Sequence, residues 1–136
     1  MLRKIRQLFS RKEETLLPET ALRWNRFIDE VCMGDGNDLT PAQRNAFLCF
    51  WYDAEVNNGG HGLYFDCHPE VSPDELADAL RAVAPPSIAE NFLSAVSGGD
   101  QDDYAEADHA YFDFSPSLID CLQAYVEQRR TEIFNH

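Results

Sequence analysis

Basic residues are scarce in this chain where they would ordinarily balance acids: from Asn45 to Gln128 the only Lys or Arg is Arg81. Against it stand sixteen acids between Asp53 and Glu127, within a 136-residue chain of net charge −13. Direct nucleic-acid binding by this region is disfavoured, since phosphate contacts need Lys and Arg. No apolar run approaches the roughly 20 residues of a membrane-spanning helix. The N-terminus lacks the apolar stretch and small-residue cleavage site of a signal peptide, so the expected compartment is the cytoplasm. Four cysteines, Cys32, Cys49, Cys67 and Cys121, include no CxxC pair. They are read as reduced and mostly buried small hydrophobes. No run of alternating β-branched residues would build a sheet.

What is present suits one helical domain. A 44% hydrophobic composition is too apolar for a disordered chain, and the length fits one core. Residues 1–15 form a basic arm, and 16–136 a single acidic domain. Arg3, Lys4, Arg6, Arg11 and Lys12 share the arm with Leu2, Ile5, Leu8 and Phe9. A terminal tail is the plainer reading; an amphipathic segment on an anionic membrane surface or on the acidic body is the alternative.

Helix starts recur. Thr40-Pro41-Ala42-Gln43, Ser72-Pro73-Asp74-Glu75 and Ser87-Ile88-Ala89-Glu90 each place a hydroxyl at the N-cap with Glu or Gln three residues on, the capping-box pattern. Ser115-Pro116 repeats the proline without the acid. Apolar stripes follow: Trp24, Phe27, Ile28 and Val31 in a helix over about 18–33; Ala46, Phe47, Phe50, Trp51 and Ala54; Leu76, Leu80, Val83 and Ala84; Leu118, Ile119, Leu122 and Val126. A fifth helix over 88–97 and a short acidic sixth over 102–111 complete an all-α, irregular or orthogonal bundle of five to six helices.

The segment Glu55-Val56-Asn57-Asn58-Gly59-Gly60-His61-Gly62-Leu63-Tyr64-Phe65 ends a helix in this reading, with Asn58 or Gly59 left-handed and Tyr64 and Phe65 returning to the core. A phosphate cradle would precede a helix and follow a strand, and this segment follows a helix. The segment resembles the ExxNGGxxQYF signature of a bacterial family of domains that includes the neisserial DNA-mimic protein DMP nineteen. Glu55, Asn58, Gly59, Gly60, Tyr64 and Phe65 match; Leu63 replaces the usual glutamine and His61 the usual aromatic residue. The similarity extends over about 18–134. It implies an all-α fold and a dimeric acidic protein that occupies the DNA-binding surface of a transcription factor.

A mimic must set carboxylates at spacings like those of phosphates, and i, i+4 pairs on a helix stand about 5–6 Å apart. Asp74 and Asp78 meet that spacing. Asp100, Asp102, Asp103, Glu106, Asp108 and Asp113 form the densest patch, with Asp102/Glu106 and Asp103/Asp108 approximating it. These eight residues are the expected partner-binding surface, for a basic DNA-binding protein such as a transcriptional regulator. A solvated face serving solubility accounts for the same charge.

Two chemical alternatives remain. A calcium loop starting at Asp100 would need Gly and Glu where Ala105 and Tyr111 stand. His61, Asp66, Cys67 and His68 could supply a Cys/His nucleophile or a zinc site. No second ligand pair accompanies them, and an acidic surround raises a thiol pKa, so they read as loop residues. The expectation is a non-enzymatic protein without cofactor or metal.

Overall fold

The computed structural model describes residues 18–134; the basic arm lies outside them. Helix α1 (Glu19–Phe27) runs on through one π turn, Ile28–Cys32. It is followed by α2 (Pro41–Cys67), α3 (Pro73–Val83), α4 (Pro86–Gly98), a 3₁₀ turn (Gly99–Asp102), α5 (Ala105–Asp113), α6 (Leu118–Gln128) and α7 (Arg130–Phe134). No strand occurs among the described residues, and the fold is an all-α bundle, as the apolar stripes predict.

Capping chemistry explains several starts. Thr40 Oγ1 accepts from the Gln43 N–H at 3.2 Å while Gln43 Oε1 accepts from the Thr40 N–H at 2.9 Å, a complete capping box. Such a cap stabilises a helix by about 1 kcal/mol. Ser72 accepts from the Glu75 N–H, but the Glu75 carboxylate turns away to Arg44, at 3.0 Å from its Nε, and joins α3 to α2. Two sequence expectations are corrected. Ser87 caps nothing: α4 begins at Pro86, with Pro85 at the N-cap, because proline already fixes the φ that a first turn needs. Helix α6 is capped by Ser117, whose Oγ accepts from the Asp120 N–H, rather than by Ser115.

Helix α2 is the axis of the bundle and packs against α3, α5, α6 and α7. Tyr52 lies at its centre, fully buried, with edge-on ring contacts to Tyr64, Phe92 and Tyr111 at 5.2, 5.4 and 5.6 Å. Those rings come from α2, α4 and α5, so one residue ties three helices through aromatic packing. Polar ties close the periphery. Arg23 forks onto Glu127 through Nε and Nη2 at 2.9 and 2.7 Å, holding α1 to α6, and Gln43 Nε2 donates to the Ile133 carbonyl at 2.7 Å, holding α7. That Arg23 fork holds the Glu127 carboxyl below its ordinary pKa.

The Gly-Gly segment does not end α2; it breaks it. Gly59 (φ −158°, ψ 19°) and Gly60 (φ 79°, ψ −175°) leave the helix, which resumes at His61 and continues to Cys67. The positive φ falls on Gly60, not on Asn58 or Gly59 as the sequence suggested. No helix among the described residues is long and apolar enough to cross a membrane.

Candidate functional site

The acidic segment is shaped by an uncommon backbone. After the 3₁₀ turn, two non-glycine residues in succession, Asp103 (φ 56°) and Tyr104 (φ 64°), adopt the left-handed region. Such positions are costly unless their surroundings enforce them. Here the Tyr104 N–H donates to the Gly99 carbonyl at 2.6 Å, and its ring packs 5.4 Å from that of Phe65. Gly99 is buried beneath the ring: a Cβ there would stand 2.4 Å from Tyr104 Cδ1. The turn is thereby locked to the resumed half of α2.

This geometry corrects the predicted carboxylate ladder. Because α5 starts only at Ala105, neither Asp102/Glu106 nor Asp103/Asp108 shares one continuous helix. Asp102 instead accepts from the Glu106 N–H through Oδ2 at 3.0 Å, capping the first turn of α5. Asp100, Asp102, Asp103, Glu106 and Asp113 are all exposed, and among the described residues no Lys or Arg pairs with them. Only Asp74 and Asp78 share a helix at i, i+4. Arg81, the one base of the region, sits 2.9 Å from Asp78, so that pair is partly neutralised.

Asp108 is the member of the set that faces inward. Its Oδ1 accepts from the His61 backbone N–H at 2.8 Å and from His61 Nδ1 at 2.7 Å. Since a carboxylate oxygen accepts, the ring proton sits on Nδ1, and Nε2 accepts from the Tyr52 hydroxyl at 2.6 Å. The resumed helix begins at His61 with N–H groups that have no earlier turn to bond to. Asp108, from another helix, supplies the cap. Gly60 makes room for it: a Cβ there would lie 2.4 Å from Asp108 Oδ2. Tyr111, one turn on, donates to Asp53 Oδ1. Burial raises the Asp53 carboxyl above its ordinary range, against the lowering effect of the Tyr111 and Asn57 bonds.

The proposed catalytic or zinc groups do not converge: His61, Asp66 and Cys67 lie in α2 rather than in a loop, and His68 stands just past the end of that helix. His61 is fully buried between Tyr52 and Asp108. His68 instead donates from Nε2 to Glu55 at 2.8 Å and stacks on Tyr64 at 5.3 Å. Cys67 is exposed, and desolvation, followed by the Glu55 and Asp66 carboxylates, holds its thiol above the ordinary pKa. A thiol so raised is a poor nucleophile. Cys32 and Cys49 are buried and Cys121 half-buried, so all four are free but burial holds for only two of them. Among the described residues no group of three His, Cys, Asp or Glu is placed to hold a metal ion.

The signature residues divide by role. Glu55 anchors His68, Gly60 receives Asp108, Tyr64 is buried, and Phe65 carries Tyr104. Asn58 and Gly59 are exposed at the break.

Burial lowers the pKa of His61, with Asp108 acting in the opposite direction. The folded state therefore takes up a proton there less readily than the unfolded chain. Sign follows: this group's contribution is complete above the ordinary histidine pKa of about 6.5 and is lost as pH falls below it. Urea unfolding at pH 7.5 and 5.5 is expected to show a lower midpoint at pH 5.5, with a smaller drop in His61→Gln. An unchanged drop in that variant would assign the effect to other groups.

A family model described as DMP19-like protein matches residues 37–129, from the loop before α2 to the end of α6. No curated protein and no solved structure matches the chain. The matched stretch contains the Gly-Gly break, the Asp108 cap and the acidic turn, and extends over more than half of the sequence: the chain belongs to the DMP19-like protein family.

Proposed function

We propose that this chain is a non-enzymatic binding protein whose acidic segment mimics DNA and occupies the DNA-binding surface of a basic protein, such as a transcriptional regulator. One observation carries the reading. Five carboxylates, Asp100, Asp102, Asp103, Glu106 and Asp113, project from a turn and helix held in a single shape by Tyr104, Gly99 and Asp108, without a described Lys or Arg to neutralise them. Solubility alone would not require the backbone that bears these charges to be held in one shape; recognition benefits from it, because ordering a segment on binding costs free energy. Membership of the DMP19-like family supports the same reading, and the family resemblance adds a dimeric assembly to the proposal.

The test is competition. Capture from the source cytosol at low ionic strength is expected to recover a nucleic-acid-binding protein. Duplex DNA should displace it, as should salt at several hundred millimolar, on the order of the range over which phosphate contacts weaken. A recovered partner that binds this chain and DNA simultaneously would overturn the proposal.

A further inference from the structure

A cleft of about 460 Å³ opens between the loop after the π turn, one stripe of α2 and the α2–α3 connection. Phe47, Trp51 and Tyr64 supply aromatic walls, Asp35, Glu55 and Glu70 supply carboxylates, and His68 supplies an imidazole that stacks on Tyr64, stands 6.2 Å from the Trp51 ring and reaches Glu55 at 2.8 Å and Glu70 at 3.8 Å. Two of its parts are fixed before anything binds. Trp51 Nε1–H donates to the Cys32 carbonyl at 3.0 Å, setting the plane of the indole, and Glu55 is held by His68 at 2.8 Å. The one guanidinium in the lining belongs to Arg44. It is engaged at the edge, forked onto Glu75 with Nε and Nη2 at 3.0 and 3.3 Å, and its Cζ lies 5.9 Å from the centre of the Phe47 ring.

We propose that this cleft is a binding site for a guanidinium-bearing ligand, which lies against Trp51 and is paired by Asp35, Glu55 and Glu70. The three carboxylates outnumber Arg44 and His68 in the lining, which disfavours a phosphate or a carboxylate ligand, and their desolvation would oppose a purely apolar one. Metal coordination lacks the required cluster among the described residues. A planar cation satisfies both halves of the lining: aromatic faces attract it through the ring quadrupole, and carboxylates accept its forked N–H donors. Arg44 over Phe47 already uses that chemistry at one end of the cleft. The volume suits one side chain or an amino-acid-sized molecule. The inference does not depend on DNA mimicry, because none of the cleft's carboxylates belongs to the acidic turn.

The full chain carries two tryptophans, Trp24 and Trp51, whose indole N–H signals can be followed separately by NMR. Three probes are titrated: Nα-acetyl-arginine amide, free L-arginine, and Nα-acetyl-citrulline amide, which keeps the shape of the blocked arginine and loses its charge. Saturable shifts are expected at Trp51 and not at Trp24 with arginine, and at least roughly tenfold weaker binding with citrulline. Equal binding of the blocked and free arginine points to a protein side chain as the natural source. Binding of free arginine alone points to a small molecule. Asp35→Asn with Glu70→Gln, both at exposed positions, is expected to weaken arginine binding about tenfold while leaving the fold intact. Citrulline binding as tightly as arginine, a Trp51 signal that does not respond, or a double variant that binds normally would each overturn the proposal.

Discussion

Gly60→Ala is expected to lower the melting temperature by about 10–15 °C, on the order of 3–5 kcal/mol for a domain of this size. Two costs add. The backbone at φ 79°, ψ −175° belongs to a region that is essentially glycine's alone, worth about 1–3 kcal/mol for any L side chain. The new methyl also falls 2.4 Å from Asp108 Oδ2, and relieving the clash means moving the carboxylate off His61. Overpacking of that kind costs about 1–3 kcal/mol more. The second cost can be isolated. Asp108→Ala alone leaves the His61 N–H and Nδ1–H without their acceptor, a loss of about 2–4 kcal/mol. In that background the Gly60 methyl meets no carboxylate, so the double variant should cost less than the sum of the two single ones. Strict additivity, measured by thermal or urea unfolding, would show that Gly60 and Asp108 act independently and that the trans-helix cap is misassigned.

Converting Asp100, Asp102 and Asp103 to Asn and Glu106 to Gln is expected to weaken partner binding by about 100-fold, with helix content and melting temperature nearly unchanged. Each exposed charge contributes up to about 1 kcal/mol to a paired contact, and four at two-thirds of that value give about two decades. The amides preserve shape and, at Asp102, the cap, since Asn accepts from the Glu106 N–H as Asp does. The effect should shrink as ionic strength rises, because these groups are open to solvent. Asp74→Asn with Asp78→Asn serves as the comparison: Arg81 already offsets Asp78, so this pair should matter less. Quartet and pair losing affinity equally would mean that bulk charge, not the fixed turn, drives association.

The fold was legible where its causes are local. Thr40 with Gln43 and Ser72 with Glu75 announce helix starts because a hydroxyl must lie three residues from the N–H it accepts from, and sequence displays that distance. Ser87 misled for a physical reason: Pro85 and Pro86 set the first turn without help from a side chain. The apolar stripes of α1, α2, α3 and α6 were readable from the 3.6-residue period. The acidic region was visible as composition, but its shape was not. Nothing in linear order says that Asp103 and Tyr104 turn left-handed, since only the Phe65 ring and the side-chain-free Gly99 enforce it. Asp108 looked like one more surface acid because its partner His61 lies 47 residues earlier. Likewise, His61, Cys67 and His68 are close in sequence, yet His61 opens the resumed helix and His68 follows its end, so the two imidazoles find separate partners.

The borrowed cap also constrains the order of assembly. Residues 61–67 make too short a helix to persist alone, since isolated helices below about 12 residues are marginal in water. Their first N–H finds its acceptor only when Asp108 arrives from α5. The second half of α2 is therefore a product of tertiary docking rather than a preformed rod.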